Sequence, residues 1–305
     1  MRGIPLFRFR NIPVTLHWSW LLVAGIEVWW RSGSYGHWAW NLAEYVVLFV
    51  IVLMHEFGHA LACQSVGGTV EGILLWPLGG VARVQPPQQP GAQLWSIAAG
   101  PLVNVALLPV TIGLVFAGGS MGLGDDAQHF VTAIAFINAL LLGFNLLPVF
   151  PLDGGQILRS LLWYPLGRER SLAIAAGLGL VVSTVGGVAV VLVMQDLWLG
   201  LIAAYAAWHS WRALKSARAR MGLAKLPRHP RARCPSCGEA PPAGPFVRCP
   251  NAHVFSPYDG PVAGACPTCG FEVTGVPCLF CGETHRPQAA VDQPPAVLDA
   301  VLARD

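Results

Sequence analysis

The chain has 305 residues, 54% of them hydrophobic and only 11% charged, with a mean hydropathy of +0.53. Soluble globular proteins carry about 25% charged residues, so this composition excludes a soluble enzyme or a disordered chain and implies a polytopic membrane protein. The net charge of +3 says little about nucleic acid, because the basic residues are sorted along the chain rather than pooled.

A spanning helix needs roughly 20 apolar residues, since a rise of about 1.5 Å per residue must cross about 30 Å of hydrocarbon. Six stretches qualify, near 14–30, 39–61, 92–118, 129–150, 171–194 and 196–211. The last is short and edged by Trp198, Trp208 and Trp211, which suit the two interfaces. With the N-terminus inside, Arg2, Arg8, Arg10, Arg83, Arg159, Arg168, Arg170 and the basic run after Arg212 all fall on the cytoplasmic side, and only Arg31 falls outside. Both termini are then cytoplasmic. The first apolar stretch ends in Trp29-Trp30-Arg31 without a small-residue cleavage pattern, so it reads as a retained anchor. Arginine far outnumbers lysine, which suggests a GC-rich prokaryote and a plasma-membrane location.

At the end of the second apolar stretch the chain reads His55-Glu56-Phe57-Gly58-His59, an H-E-x-x-H signature. Two histidines four apart share one helical face and can grip one zinc, while Glu56 is placed to act as general base. Ionisable residues inside a membrane are costly and functional by default. Cys63 continues the spacing on the same face, where a packed thiol is the expected role.

Residues 69–84 are too short and glycine-rich for a span, yet hold two β-like runs joined at Pro77-Leu78-Gly79-Gly80. A hairpin or re-entrant element is expected, with an edge strand, Gly79 and Gly80 included, able to pair with an extended substrate; a plain interfacial loop is the alternative. A second break, from Asn145 through Pro148 and Pro151 to Asp153-Gly154-Gly155, stops the fourth span beside a carboxylate. Irregular backbone at that depth must be buried in protein or line a wet cavity. Asp153 is the natural third ligand, with a helix N-cap as its other reading. Three ligands and one open position describe a catalytic zinc. Asn145 is a candidate donor to a developing oxyanion, or else satisfies backbone groups freed by Pro148.

Taken together, the chain resembles the site-2 protease family of intramembrane zinc metalloproteases over roughly residues 1–211. The resemblance rests on His55–His59, on Asn145-Leu-Leu-Pro148 with Pro151-Leu-Asp153-Gly154, on Gly100-Pro-Leu-Val-Asn104, and on Pro77-Leu-Gly79-Gly80 as a cytoplasmic β-loop. It implies an α-helical polytopic fold of about six spans, a zinc held by His55, His59 and Asp153, Glu56 activating a water there, and Asn145 and Asn104 as substrate-contacting or supporting amides. The implied activity is cleavage of transmembrane segments of other membrane proteins. The rival is a non-catalytic membrane scaffold or regulator, which has no need of Glu56. Gly177-Leu-Gly179 and Gly186-Gly187 permit close helix packing and a homo-oligomer face.

The protease body is expected to cover residues 1–215, followed by a basic linker at 216–233, a metal domain at 234–285 and a weakly ordered tail at 286–305. Seven of the eight cysteines lie in the metal domain: Cys234 and Cys237, Cys249 with His253, Cys266 and Cys269, Cys278 and Cys281. On the cytoplasmic side disulfides do not persist, so paired thiolates point to zinc. This resembles a double zinc ribbon with two structural zincs. Sequential pairing would join Cys234, Cys237, Cys249 and His253 in one site and the other four cysteines in a second; interleaved pairing is the alternative. With few basic residues the domain is a poor nucleic-acid binder, and a cytoplasmic protein partner is the expected role.

Overall fold

The computed structural model describes residues 3–30, 33–76, 79–235, 237–259, 262–278 and 284–287. Contacts divide the chain into two units, Met1–Leu214 and Lys215–Asp305. The first unit opens with strands β1 (Ile4–Phe9) and β2 (Ile12–Leu16), joined by a turn in which Arg10 and Asn11 have φ of 45° and 65°. Two consecutive left-handed residues match the twist of a tight hairpin. Strand β2 continues in parallel to β3 (Thr69–Trp76), and β3 pairs antiparallel with β4 (Gly79–Gln85), giving the order β1-β2-β3-β4. Alternation places Ile12, Val14, Ile73 and Leu75 on one face, all at most 1% exposed, where they meet Val52 and Ala60. Burying such a side chain contributes about 1.5–3 kcal/mol. The sheet is thereby fastened to the helix that carries His55 and His59.

Seven helices follow the topology α1 (Ser19–Trp30), α2 (Trp38–Ser65), α3 (Pro90–Met121), α4 (Asp125–Asn145), α5 (Asp153–Leu166), α6 (Arg168–Ala189, extended by a π-helical turn to Met194) and α7 (Leu197–Ala224). Four of these segments are long and apolar enough to cross a membrane: Trp38–Ser65, Pro90–Met121, Asp125–Asn145 and Arg168–Met194. That is fewer than the six stretches marked in the sequence. Residues 14–16 of the first stretch belong to β2, leaving α1 with 12 residues, about 18 Å of helix. Helix α7 is long, but it turns basic after Trp211. The polarity of the unit is inverted: Phe116, Phe136, Val181 and Val185 are exposed, while His55, His59, Asn104 and Asn138 are buried. Such a surface suits hydrocarbon rather than water, and the chain is a membrane protein.

The second unit has little regular structure. Strands β5 (Val247–Arg248) and β6 (Val254–Phe255) form one two-stranded ribbon, and β7 (Val276–Pro277) and β8 (Thr284–His285) form another. Among its described residues Cys249, Phe255 and Cys266 cluster with Val247 and Val273, and Cys234, Tyr258, Val276 and Cys278 are also buried. Residues expected as a basic linker are structured. The first part of that stretch continues α7 to Ala224. Beyond it His229, 5% exposed, pairs with Asp259 at 2.8 Å and accepts from the Ala232 amide at 2.9 Å. The expected short helix near 296–302 lies outside the described residues.

Candidate active site

Helix α2 delivers His55, Glu56 and His59 on one buried face. The partner carboxylate arrives from a different element. After α4 the chain folds back at Pro148 and Pro151, and Gly154 then lies so close to the Leu146 and Leu147 carbonyls that a β-carbon there would overlap them. This close approach, open only to glycine, sets the first turn of α5 against the end of α4. Leu152 is the helix cap and Asp153 the first helical residue, with no capping bond from its side chain. The N-cap reading of Asp153 therefore gives way. Asp153 Oδ2 lies 3.1 Å from His55 Nε2 and 3.3 Å from His59 Nε2, and the two Nε2 atoms are 3.1 Å apart.

The proton arrangement gives this triangle its chemistry. His59 Nδ1 lies 2.9 Å from the Ser96 carbonyl, and His55 Nδ1 lies 2.6 Å from Asn104 Oδ1. Oxygens of this kind only accept, so both imidazoles carry their hydrogen on Nδ1 and turn a lone pair on Nε2 toward Asp153. Asp153 Oδ2 is itself a buried oxygen without a hydrogen-bond donor. With neutral imidazoles three acceptors thus converge, an arrangement that suits a cation. Tetrahedral zinc with bonds of about 2.0–2.1 Å spaces its ligand atoms about 3.3 Å apart, close to the triangle. Two imidazoles and a carboxylate fit the donor set of a catalytic zinc with a fourth position open. Gly100 of α3 completes the cradle: a β-carbon there would overlap His59 Nε2 and crowd His55 Nε2.

Glu56 stands beside the triangle rather than in it. Its Oε2 accepts the Ala82 amide at 2.7 Å, and Gly80 packs on its side chain so tightly that a β-carbon would overlap the carboxylate. The hairpin expected to meet substrate is present, with β4 as the outer strand and Gly79 at its start. In this conformation the hairpin covers the candidate base. Asn145 ends α4, half-buried, and its side chain bonds to no other described residue. Asn104, expected as a substrate-contacting or supporting amide, stands on the histidine side of the site. It is fully buried, and its carbonyl oxygen is committed to His55. Sequence reasoning marked Gly100 only by its spacing from Asn104 and passed over the Ser96 carbonyl and Asn138, whose Oδ1 accepts from Asn104 Nδ2 at 2.8 Å; for Asn138 a polar amide within an apolar span was the available signal. A cavity of about 910 Å³ lies elsewhere in this unit, lined by Trp20, Glu27, Glu44, Tyr45, His129 and others, and none of the zinc-site residues line it.

In the second unit the thiols pair in nested fashion. Cys249, His253, Cys266 and Cys269 form one group and Cys234, Cys237 and Cys278 another; Cys281 lies outside the described residues. This is neither the sequential nor the interleaved pairing: the second ligand pair joins the third, and Cys278 of the fourth joins the first. Cys249 and Cys269 sulfurs are 3.7 Å apart and those of Cys237 and Cys278 are 3.8 Å apart, against about 3.8 Å for two thiolates on tetrahedral zinc. His253 Nδ1 lies 3.6 Å from Cys249 Sγ and 3.9 Å from Cys266 Sγ, so the histidine belongs to the group.

The Peptidase family M50 profile matches residues 43–125 and 109–186. A zinc metalloprotease of Methanocaldococcus jannaschii is 34% identical over 181 residues, covering 58% of this chain and 50% of the relative. The stage IV sporulation protein FB of Bacillus subtilis is 31% identical over 132 residues, covering 42% of this chain and 43% of the relative. The solved site-2 protease from M. jannaschii aligns at 27% identity over 70% of this chain and 95% of its own, with a TM-score of 0.49. The chain spans about half the length of the curated relatives it matches. Both segments of the candidate site, 55–59 and 145–154, fall inside the matched span, and the membrane unit of this chain is similar to peptidase family M50 and to zinc metalloproteases.

Proposed function

We propose that this protein is a membrane-embedded zinc endopeptidase that hydrolyses peptide bonds in or near transmembrane segments of other membrane proteins. The observation that carries the reading is the convergence of His55 Nε2, His59 Nε2 and Asp153 Oδ2 on one point. Zinc held there supplies Lewis acidity toward the scissile carbonyl and acidifies the attacking water. Glu56 accepts the proton of that water and passes it to the leaving amine. Its bond to the Ala82 amide sets the carboxylate's position between β4 and the two histidines. Asn145, uncommitted at the end of α4, donates to the carbonyl oxygen as charge develops on it.

Substrate reaches these groups as an extended strand. An intact transmembrane helix hides its backbone in its own hydrogen bonds, so the segment must unwind before attack. The outer edge of β4, with Gly79 and Gly80 at its start, offers backbone partners for the unwound piece. The Cys249 and Cys234 groups each hold a structural zinc, making a double ribbon that meets a cytoplasmic protein partner. The chain sits in the plasma membrane with both termini in the cytoplasm, in accord with the distribution of its arginines.

Coexpression with single-span membrane proteins tests the activity. Glu56→Gln is expected to lower cleavage about 10²–10⁴-fold while leaving zinc content unchanged, and His59→Ala to lose both. Equal cleavage by wild type and Glu56→Gln would overturn the reading.

A further inference from the structure

We infer that Asn138 is a positioning residue for the zinc ligand His55, acting through Asn104 to set which imidazole nitrogen carries the proton. The inference rests on the zinc reading of His55, His59 and Asp153. Asn104 on α3 and Asn138 on α4 are both fully buried, at 0% exposure. Amides buried in an apolar interior are costly unless they find hydrogen-bond partners.

The direction of each hydrogen bond follows from one fixed point. Asn138 Nδ2 donates to the Asn104 backbone carbonyl at 3.1 Å, and a carbonyl can only accept. That bond fixes which end of the Asn138 amide is nitrogen. Asn138 Oδ1 therefore faces Asn104 Nδ2, 2.8 Å away, and accepts from it. The Asn104 amide is fixed in turn, with Oδ1 aimed at His55 Nδ1 2.6 Å away. His55 must then carry its hydrogen on Nδ1 and leave Nε2 bare for the metal. Were Asn104 free to turn over, its NH₂ would face Nδ1 and favour the other tautomer, with a hydrogen on Nε2 where zinc should bind. A backbone carbonyl of α3 thus dictates, through two amides, the proton state of a ligand on α2.

His59 needs no such device, because its Nδ1 faces the Ser96 carbonyl directly. Asn138 lies two turns before Asn145 on the same face of α4. One helix face therefore carries both the amide that orients a ligand and the amide proposed to meet substrate.

The test measures zinc affinity of the full chain in nanodiscs by equilibrium against zinc buffers. Zinc bound by His59→Ala is subtracted to remove the ribbon contribution. Asn138→Leu should weaken zinc binding about 10–100-fold, the usual effect of losing a partner that orients a ligand. Asn104→Asp presents oxygen to His55 whichever way it turns and needs no orienting partner. The double variant Asn104→Asp with Asn138→Leu should therefore bind zinc within a few-fold of Asn104→Asp alone. Should Asn138→Leu fail to accumulate, Asn138→Ala reads the same contact by deletion. Wild-type zinc affinity in the Asn138 variants would overturn the inference, as would a double variant no better than Asn138→Leu, since a packing defect is not cured by a carboxylate. A wild type that binds no more zinc than His59→Ala would instead overturn the zinc site itself.

Discussion

The membrane unit and the ribbon unit both gather groups that could hold a metal ion, but they hold them by opposite means. In the membrane unit the ligands stand on helices that other contacts already fix. Ile12, Val14, Ile73 and Leu75 tie the sheet to α2, and Asn104, Ser96 and Gly100 of α3 shape the site without touching metal. In the ribbon unit the ligands are themselves the core, since Cys249 and Cys266 make up most of its buried cluster with Phe255. A catalytic ion is a guest of a finished fold, whereas a structural ion is part of the fold's interior. About 90 residues with so little apolar core cannot offset the entropy of ordering by burial alone.

Zinc removal should separate the two units most sharply. Structural zinc contributes roughly 10–16 kcal/mol of apparent binding energy that is also folding energy. A chelator at neutral pH is expected to open the ribbon to trypsin at Arg233 and Arg248 while the helical circular dichroism of the membrane unit persists. A ribbon that stays resistant after full zinc loss would break the comparison. Within the membrane unit the next largest effect belongs to Gly100→Ala. A methyl group there collides with both imidazoles, so zinc at His55 and His59 should weaken about 100-fold with the ribbon zinc retained. Retention of full zinc content would mean that α3 can yield where its contacts say it cannot.

A smaller effect concerns Glu56 and the hairpin. The Ala82 amide points off the open edge of the sheet to the carboxylate, so proline at 82 deletes that donor without removing a ladder bond. A hydrogen bond to a charged group is worth about 1.5–3 kcal/mol. Ala82→Pro should therefore change the turnover number about tenfold at unchanged zinc content. An unaltered turnover number would show that Glu56 is positioned by other contacts.

How much of this was legible in the sequence depended on whether the signal was local. His55 and His59 declare themselves by spacing on one helix, and Asp153 by the prolines and glycines that must surround a break at that depth. The β3–β4 hairpin was visible because Gly79 and Gly80 separate two β-like runs. The β1–β2 hairpin was hidden: Pro5 and Pro13 argue against strands, and only His17 and Ser19 interrupt the apolar run from β2 into α1, so residues 14–16 merged with α1 into one supposed span. The Ser96 carbonyl could not be found by pattern and Asn138 showed only as a polar amide in an apolar span, because their roles exist only through contacts 37 and 34 residues away in the chain. Metal pairing was open for the same reason. The ligand spacing is equally compatible with neighbours in sequence and with the nested arrangement observed.

The nested ribbon supplies the smallest test. Two of its knuckles, Cys234-Pro-Ser-Cys237-Gly238 and Cys266-Pro-Thr-Cys269-Gly270, place glycine four residues after the first cysteine with φ of 71° and 70°. The amides of Gly238 and Gly270 turn back to Cys234 and Cys266, each at 2.9 Å. In the third knuckle, Cys249-Pro-Asn-Ala252-His253, the turn closes one residue earlier although the ligands stand one residue further apart. Its left-handed residue comes after three positions rather than four, and it is Ala252, with φ of 62°. Histidine reaches further than cysteine, which explains why His253 can serve as ligand from a register where a thiol would fall short. An alanine held in the left-handed region costs about 1–2 kcal/mol relative to an unstrained residue, and glycine does not carry that cost, though it loses more entropy on folding. Ala252→Gly should therefore stabilise the zinc-loaded ribbon by about 1 kcal/mol in denaturant titration followed at the ribbon. Equal or lower stability would mean that the short knuckle relaxes when zinc binds, and that its geometry is set by the metal rather than by the chain.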